Sequence, residues 1–383
     1  MLYKLSDVFD LQMGKTPSRD NNMYWKDGNL PWVSIADLSK SQIYIENSKE
    51  MITNLAAKDT LMKCIPQDTV IMSFKLSLGK TAITKTPLYT NEAIMAFIDK
   101  KVIQIEPKYI YFLFCNIKWG QYTNNAVKGK TLNKKFFSDF QIYIPEYTQQ
   151  TKIASLLIRI NKILEYKHSL IKAYDAIIKS RFVEMFGDPN MVALNKGVKF
   201  SSVAKIITGN TPSRKSSEYY GDYIEWIKSD NIISTNLYIS QAKEFLSEQG
   251  AAKGRVAPKD SLLMTCIAGS IRSIGNVGIC DRSVAFNQQI NAIVLKNNIN
   301  PLYAYWLLKL FKPSIIANVE MSLKGIISKS QLENMLIPII ASQEEQELFI
   351  KFALQINKLK SDVQKSIDET QLLMDSLMQE YFG

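Results

Sequence analysis

The chain contains one unit that occurs twice. The segment from Lys4 to Arg19, KLSDVFDLQMGKTPSR, has a counterpart from Lys199 to Arg214, KFSSVAKIITGNTPSR, which begins 195 residues later. Further pairs follow in the same order: Trp32 and Trp226, Asp37 and Asp230, Pro66 and Pro258, Asp68 and Asp260, Asn91 and Asn287. Both halves end on Phe-Gly. This many landmarks in one order indicate a duplication, which requires a fold that can be built twice in one chain.

Each half begins with a region typical of a mixed α and β globular domain. Short runs rich in β-branched and aromatic residues are broken by Gly, Pro, Asn and Asp over residues 4–145 and again over 199–338. Such runs predict strands joined by turns. Pro107 and Pro301 occupy matching positions, and each is placed to open a helix. The pattern therefore predicts two copies of one α and β domain.

Each half ends with a long helical segment. Residues 150–186 contain neither Gly nor Pro, and apolar residues recur there at intervals typical of a helix: Ile153, Leu157, Ile160, Leu164, Ile171, Tyr174, Ile178 and Met185. A second file widens the predicted apolar face: Leu156, Ile163, Leu170 and Ile177. The segment 343–382 repeats the spacing: Phe349, Phe352, Ile356, Leu359, Val363, Leu373 and Leu377. Both stripes are typical of coiled-coil helices.

A helix of this length cannot bury its stripe against its own small domain, so its natural partner is its copy. Two tandem units related by an approximate two-fold axis would pair these helices antiparallel. We therefore predict an α+β fold with two mixed α/β domains, residues 1–147 and 191–340, separated by two long antiparallel coiled-coil helices, residues 148–190 and 341–383. Such a helix pair would hold two heads at a fixed spacing, a geometry suited to two DNA half-sites.

The net charge is compatible with a polyanionic partner. Lys and Arg outnumber Asp and Glu by 47 to 36, which gives a formal charge of +11 and a pI near 9.2. Nucleic acid is one explanation, and a generally basic proteome is another. The halves differ, because residues 1–187 carry +9 and residues 188–383 carry +2. The first head is therefore expected to depend more on phosphate contacts.

Several classes of site have no sequence signal. The four cysteines form no CxxC pair, and the only histidine, His168, lies within a helical pattern, which argues against zinc and a disulfide framework. The sequence has no Walker loop, no glycine-rich dinucleotide turn and no nuclease-type cluster of carboxylates and lysine. No stretch reaches the length of a membrane span. We expect a cytoplasmic, non-catalytic protein without a membrane partner.

The repeated GxTPSR loop supplies the first candidate DNA contacts. Its hydroxyl and basic side chains are suitable donors to phosphate oxygens. They are Thr16, Ser18 and Arg19 in the first half and Thr211, Ser213 and Arg214 in the second. The alternative is a structural turn, in which Thr or Ser caps the backbone and Pro fixes it. Duplication does not decide between the two, since structural turns are duplicated too.

Two further basic groups recur in both halves. Lys75 and Lys80 lie in a loop between two predicted strands, SFKLSLGKTAI, and its counterpart IAGSIRSIGNVGI carries Arg272. A hairpin of this kind could approach a DNA backbone or a base edge, or it could simply be exposed to solvent. Lys128, Lys130 and Lys134, with Lys324 and Lys329 in the second half, precede the last predicted strand. They are candidates for phosphate contact, with a solvated charged face as the alternative.

The duplicated architecture, the repeated GxTPSR loop, the proline before each long helix and the sequence SRFVEMFGDP, residues 180–189, resemble the specificity subunits of type I restriction-modification systems. The resemblance covers essentially the whole chain. It implies two target recognition domains, each similar to that of Taq-type adenine methyltransferases. It also implies that the long helices serve as spacers and as docking surfaces for two DNA adenine methyltransferase subunits.

The resemblance further implies that the chain reads a bipartite double-stranded DNA target and holds no cofactor. S-adenosylmethionine would be bound by the methyltransferase partners, and ATP and Mg by separate restriction and translocase subunits. The second half has AGSIRSIG where the first has FKLSLGK, which predicts two different half-sites and an asymmetric target. The alternative function is a coiled-coil assembly adaptor that does not bind DNA.

Overall fold

The computed structural model describes residues 1–75, 77–122, 132–296, 298–321, 325–338 and 340–383. Contacts divide the chain into two compact units, and we describe each by itself. The first unit is Met1–His168 together with Lys365–Gly383, and the second is Ser169–Gln364. Each unit combines one globular domain with parts of both long helices. Within the described residues, no helix is both long enough and apolar enough to cross a lipid bilayer.

Within the described residues, the globular part of the first unit has ten strands and five short α-helices, and the first long helix follows. The strands are β1 Leu2–Lys4, β2 Phe9–Met13, β3 Leu30–Val33, β4 Tyr44–Ile45, β5 Glu50–Ile52, β6 Val70–Ser73, β7 Thr81–Thr84, β8 Tyr89–Thr90, β9 Ile94–Asp99 and β10 Gln141–Tyr143. The helices are α1 Leu5–Val8, α2 Ile35–Leu38, α3 Asn54–Asp59, α4 Pro107–Asn116, α5 Lys134–Asp139 and the long α6 Tyr147–Phe186.

A five-stranded sheet in the order β2-β9-β6-β7-β4 forms the centre of this domain, and a three-stranded sheet, β5-β3-β8, accompanies it. All four side chains of β6 and of β7 are buried, including the polar Ser73, Thr81 and Thr84. Helix α4 begins at Pro107 as expected and packs on β6 and β7. Edge-to-face aromatic contacts join Phe97 to Phe114 and Phe137 in the core between sheet and helices.

The second unit repeats this arrangement. Its strands are β11 Gly197–Lys199, β12 Ala204–Thr208, β13 Tyr220–Gly221, β14 Ile224–Ile227, β15 Phe245–Leu246, β16 Val256–Ala257, β17 Leu262–Thr265, β18 Ile267–Ala268, β19 Val277–Ile279, β20 Val284–Phe286, β21 Ile290–Leu295, β22 Glu320–Met321, β23 Gly325–Ile326 and β24 Leu336–Pro338. Its helices are α7 Pro189–Lys196, α8 Phe200–Val203, α9 Glu248–Lys253, α10 Pro301–Ala317, α11 Lys329–Asn334 and α12 Gln343–Phe382.

The central sheet of the second unit has the order β12-β21-β17-β19, which matches β2-β9-β6-β7. The prediction of a hairpin at Arg272 was wrong. The connection that carries Arg272 is not a simple hairpin, because it contains strand β18 and a 3₁₀ turn at Ile271–Ser273 before β19 begins. Strand β18 pairs with β23, so the connection is drawn into a second small sheet. Sequence periodicity does not reveal such a pairing, because the partner strand lies far along the chain.

The first and last strands of each globular domain pair with each other. Leu2 lies opposite Tyr143 in the β1 and β10 pair, and Gly197 lies opposite Pro338 in the β11 and β24 pair. The chain therefore enters and leaves each domain at one place. The long helix begins only a few residues after this pair in both units.

Helices α6 and α12 are 40 residues each, and they run antiparallel. In the first unit, the Lys167 ammonium donates to the backbone oxygen of Ser366 over 2.9 Å and to the Thr370 hydroxyl over 2.6 Å. In the second unit, the rings of Phe182 and Phe349 lie 5.2 Å apart. These contacts confirm the prediction of paired antiparallel long helices.

The predicted apolar stripe of α6 is only partly buried. Ile153, Leu157, Ile160, Leu164 and Ile178 are buried, as expected. The second file, which widens the predicted apolar face, is not buried, because Leu156, Ile163, Leu170 and Ile177 are 37–44% exposed. Leu359 and Leu373 of α12 are also exposed. An antiparallel pair of helices buries one narrow seam, and residues beside that seam stay in contact with solvent.

Candidate nucleic-acid interface

Three loops of the first unit meet where strands of its central sheet end. Because β2, β9, β6 and β7 alternate in direction, the end of β2, the start of β9, the end of β6 and the start of β7 lie at the same end of the sheet. We call this end of the sheet the loop end. The described residues there are 14–29, 74–75, 77–80 and 91–93. The equivalent loop end of the second unit carries segments 209–219, 266–276 and 287–289.

Backbone hydrogen bonds join these segments in both units. In the first unit, Lys15 N–H donates to Thr90 over 2.9 Å, and Phe74 N–H donates to Ala93 over 2.9 Å. Phe74 in turn accepts from Leu132, just before α5, over 3.0 Å. The second unit has matching bonds from Asn210 to Phe286, from Cys266 to Gln289 and from Ile327 to Cys266. The structure therefore brings the candidate segments, which are distant in sequence, to one place.

The arginine of the GxTPSR loop is held by a carboxylate and by aromatic rings in both units. Arg19 Nη2 lies 3.0 Å from Glu50 Oε2, and the guanidinium carbon lies 3.9 Å from the centroid of Trp25 and 4.9 Å from that of Trp32. The Arg19 hydrogen bond lowers the pKa of Glu50 below its ordinary value. The arginine thus ties the loop to β5 and to β3.

The second unit repeats the arrangement with different rings. Arg214 Nη2 donates to Glu244 Oε2 over 2.7 Å, and its guanidinium carbon lies 4.6 Å from the centroid of Tyr220 and 4.9 Å from that of Trp226. Lys228 also bonds to Glu244, and the Lys228 and Arg214 hydrogen bonds lower the pKa of that carboxyl. A duplicated stacked ion pair is a structural feature of the domain.

The glycines and threonines of the loop are also engaged within the protein. A Cβ at Gly14 would lie 2.1 Å from the Thr90 backbone oxygen, and one at Gly209 would lie 2.2 Å from that of Asn287, so only glycine fits. The Thr16 hydroxyl donates to the Glu92 carboxylate. The equivalent threonine and both serines complete the predicted set: Thr211 donates to Gln288, while Ser18 and Ser213 are exposed.

These contacts support the structural interpretation of the GxTPSR loop. Phosphate contact by its hydroxyl and arginine side chains stays a prediction. The arginines remain about half exposed, with 50% and 55% of the side-chain surface accessible in Arg19 and Arg214.

The basic residues after β6 and β17 differ from these arginines in having no carboxylate partner among the residues that the structure describes. Lys75 lies 5.2 Å from the centroid of Phe74, and Lys80 is exposed. Neither forms an ion pair with any residue that the structure describes. Arg272 is exposed in its 3₁₀ turn, where its backbone oxygen accepts from Lys312 over 2.6 Å.

The last basic group lies beside the edge strand of each sheet. Lys134 lines a groove of about 590 Å³ with Lys15 and Lys63. Lys329 lines a groove of about 640 Å³ in the second unit, with Lys205, Lys296 and Glu333. Lys329 pairs with Glu333 over 3.5 Å. The remaining predicted residues, Lys128, Lys130 and Lys324, lie outside the described residues.

At the opposite end of the first central sheet, the lysines are paired with carboxylates. Four lysines there are each paired with a carboxylate: Lys85 with Glu46, Lys100 with Asp10, Lys101 with Asp99 and Lys108 with Glu106, at 2.6–3.8 Å. Each of these lysines thus has a carboxylate counter-ion within the protein, whereas Lys75 and Lys80 at the loop end have none among the described residues.

Sequence reasoning missed several polar residues of this region. Lys15 and Lys63 had no signal beyond their charge. Glu92 and Gln288 follow Asn91 and Asn287, a pair already recognised as equivalent, so the repeat alignment contained the clue. Among the residues described, no group of three or more His, Cys, Asp or Glu side chains could hold a metal ion.

The family model for the type I restriction modification DNA specificity domain matches residues 1–173 and 195–369. The two matches coincide with the two copies of the duplicated unit. The chain therefore belongs to the family of type I restriction-modification specificity proteins and carries the DNA specificity domain twice.

Two curated relatives illustrate the similarity. The type I restriction enzyme MjaIX specificity subunit of Methanocaldococcus jannaschii is 26% identical over 244 residues, which are 63% of this chain and 55% of that protein. The EcoR124I/EcoR124II specificity subunit of Escherichia coli is 28% identical over 153 residues, which are 38% of this chain and 36% of that protein. The aligned part thus spans about half or less of these relatives.

Known structures have the same fold. The S subunit of a type I restriction-modification system from M. genitalium superposes with a TM-score of 0.55 at 12% identity, covering 100% of this chain and 96% of the other. A chain from a study of complex assembly and conformational transition of the type I system superposes with a TM-score of 0.62 at 15% identity, covering 100% and 97%. At these identities the likeness concerns the fold.

Proposed function

We propose that this chain is the DNA-reading subunit of a type I restriction-modification complex. Its two domains read two different halves of a bipartite double-stranded target, and the chain itself is non-catalytic. Genomic DNA as the target implies work in the cytoplasm.

The proposal rests on a difference in charge pairing between the two ends of the first central sheet. Lysines at the end opposite the loop end have carboxylate partners, while Lys75 and Lys80 at the loop end have none among the described residues. Unpaired cations on loops that a rigid sheet positions are what phosphate binding requires. An adaptor that did not bind DNA would gain nothing from this separation of charges.

The exposed file on α6 supports docking of partner subunits. Leu156 and Ile163 in the first unit, and Leu170 and Ile177 in the second, recur every seven residues and remain exposed. Apolar residues at heptad spacing pack against another helix. We assign that helix to DNA adenine methyltransferase subunits, which would bring S-adenosylmethionine, while restriction and translocase subunits would bring ATP and Mg.

The test measures DNA binding by the full-length chain across a range of salt concentrations. The double variant Lys75→Gln/Lys80→Gln should weaken binding and reduce the slope of log K against log salt by about one per lost phosphate contact. Arg272→Gln should act in the same way on the second half-site. Footprinting should show two protected patches with an unprotected gap between them.

The matched control is Lys100→Gln/Lys101→Gln, which changes the net charge equally but at the end of the sheet opposite the loop end. Its salt dependence should equal that of the unmodified chain. If the two double variants behave alike, or if binding is insensitive to salt, the loop end is not the DNA surface. The adaptor function would then be favoured.

A further inference from the structure

Glu92 and Gln288 occupy the same position in the two copies of the domain. Each follows an asparagine, Asn91 or Asn287, in the turn that leads into β9 or β21. Both side chains are exposed at the loop end of their own unit. The duplicated scaffold therefore presents two different polar side chains from one equivalent place.

A threonine of the GxTPSR loop holds each of these side chains. The Thr16 hydroxyl donates to Oε2 of Glu92, and the Thr211 hydroxyl donates to Oε1 of Gln288. Both threonines lie in a loop that a stacked arginine ties to the sheets. A side chain that is already positioned loses less conformational entropy when it binds, which favours selective recognition.

The bond to threonine leaves a different atom free in each unit. Glu92 retains Oε1, a carboxylate oxygen that can only accept a hydrogen bond. Gln288 retains its Nε2 amide group, which can only donate. The two equivalent positions thus have opposite hydrogen-bonding character.

We propose that Glu92 and Gln288 are base-reading residues at matching positions of the two half-sites. In the major groove, Glu92 selects a base that carries an exocyclic amino group, which is cytosine or adenine. Gln288 selects a base that offers an acceptor there, such as guanine O6 or N7, adenine N7 or thymine O4. This inference rests on the DNA-binding function proposed above and adds which side chains distinguish the bases.

The charge of Glu92 makes the proposal specific. The carboxylate lies at the loop end, which also carries Lys75 and Lys80, and there it weakens the attraction to phosphates. Removing its charge should therefore increase affinity for random DNA at the same time as the base preference changes. A residue with a purely structural function would not show these two changes together.

The experiment selects bound duplexes from a randomised pool with the full-length chain and its variants. Glu92→Gln keeps an oxygen that can accept from Thr16, so the brace survives, while the free atom changes from an acceptor to a donor. At one position of one half-site, the preference should change from an amino-bearing base to one that offers an acceptor. The change should be about tenfold or more, and the other half-site should be unaffected. Gln288→Glu should produce the reverse change in the other half-site.

Glu46→Gln is the matched control, because Glu46 lies at the end of the sheet opposite the loop end and pairs with Lys85. It should leave every base preference unchanged. Thr16→Val supplies a second variant that frees the Glu92 side chain, and it should broaden the preference at the same position only.

The two proposals fail in different ways. If Glu92→Gln, Gln288→Glu and Thr16→Val all bind the pool with unmodified preferences, the base-reading assignment is wrong and DNA binding stands. If the unmodified chain enriches no sequence and shows no salt-dependent binding, the proposed function is wrong as well.

Discussion

The side-chain oxygen of Gln150 accepts a hydrogen bond of 2.9 Å from the backbone N–H of Glu106. Its amide group donates to Gln104 over 3.1 Å and to Pro145 over 2.9 Å, and the residue is 1% exposed. Gln346 makes the equivalent three bonds in the second unit, to Asn300, Asn298 and Ala341. One buried glutamine thus fastens the first turn of each long helix to the segment that precedes α4 or α10.

Gln150→Ala should destabilise the first unit by about 1–3 kcal/mol, because it leaves a buried N–H and two carbonyls without partners. Hydrogen exchange should accelerate around Glu106 and in the first turns of α4 and α6. Gln149→Ala is the control, since the neighbouring Gln149 is exposed and should be neutral. Equal effects of both variants would contradict the fastening function.

Arg19→Lys should loosen segment 14–29, because lysine keeps the charge but loses both the forked hydrogen bonds to Glu50 and the stacking on Trp25. The pair is partly exposed, so we expect about 1 kcal/mol or less. Local hydrogen exchange measures the effect. Arg214→Lys should act likewise in the second unit, and Arg255→Lys, at an exposed residue, is its control. Unchanged exchange together with weaker DNA binding would instead favour phosphate contact.

The second unit should lose stability in acid through Glu225. Its hydrogen bonds to Arg282, one of them 2.7 Å long, lower the pKa of Glu225 and raise that of Arg282. A carboxylate whose folded-state pKa is lowered stabilises the fold above its unfolded pKa, near 4.3, and this stabilisation disappears as the pH falls through the lowered value.

Glu225→Gln should therefore cost about 1–2 kcal/mol at pH 7 and have a smaller effect near pH 3. Urea unfolding at several pH values measures this difference in the free energy of unfolding. Hydrogen exchange in β14 then tests whether the effect is local. A loss of stability that is equal at both pH values would mean that packing, and not the ion pair, is responsible.

Lys167→Met should loosen the end of α12 in the first unit. Methionine preserves the length of the side chain but removes the ammonium donors that bind Ser366 and Thr370. We expect about 1 kcal/mol and faster exchange in residues 366–382. Lys162→Met, at an exposed position of the same helix, should leave that exchange unchanged. If both variants accelerate exchange equally, the effect belongs to net charge.

Much of the fold could be predicted, because duplication and periodicity are written locally in the sequence. The α and β character of both domains, the helix starts at Pro107 and Pro301 and the long antiparallel helices all followed from spacing. The exposure of Leu156 and Ile163 could not be predicted, since an apolar file looks the same whether or not a partner covers it. Neither could the pairing of Ile267 with Ile326, which depends on contacts between distant segments.

The candidate site was predictable only as a set of segments. The GxTPSR loop and the connection after β6 were each recognised, and the structure places their described residues at one end of the sheet. The segment before α5 was recognised too, but most of it lies outside the described residues. What each side chain does there depends on its partner. Glu50 engages Arg19 while Lys75 has no carboxylate among the described residues, and the sequence offers no sign of this difference. We therefore propose Lys75, Lys80 and Glu92, and not the arginines, as the principal DNA contacts of the first unit.

The pairing of Leu2 with Tyr143, and of Gly197 with Pro338, has an evolutionary consequence. The first and last strands of each domain lie side by side, so the chain enters and leaves the domain at one place. Exchanging everything between those strands would alter the surface that the domain presents without moving the start of the helix that follows. Recombination at two short stretches of sequence could therefore give such a protein a new target in a single step.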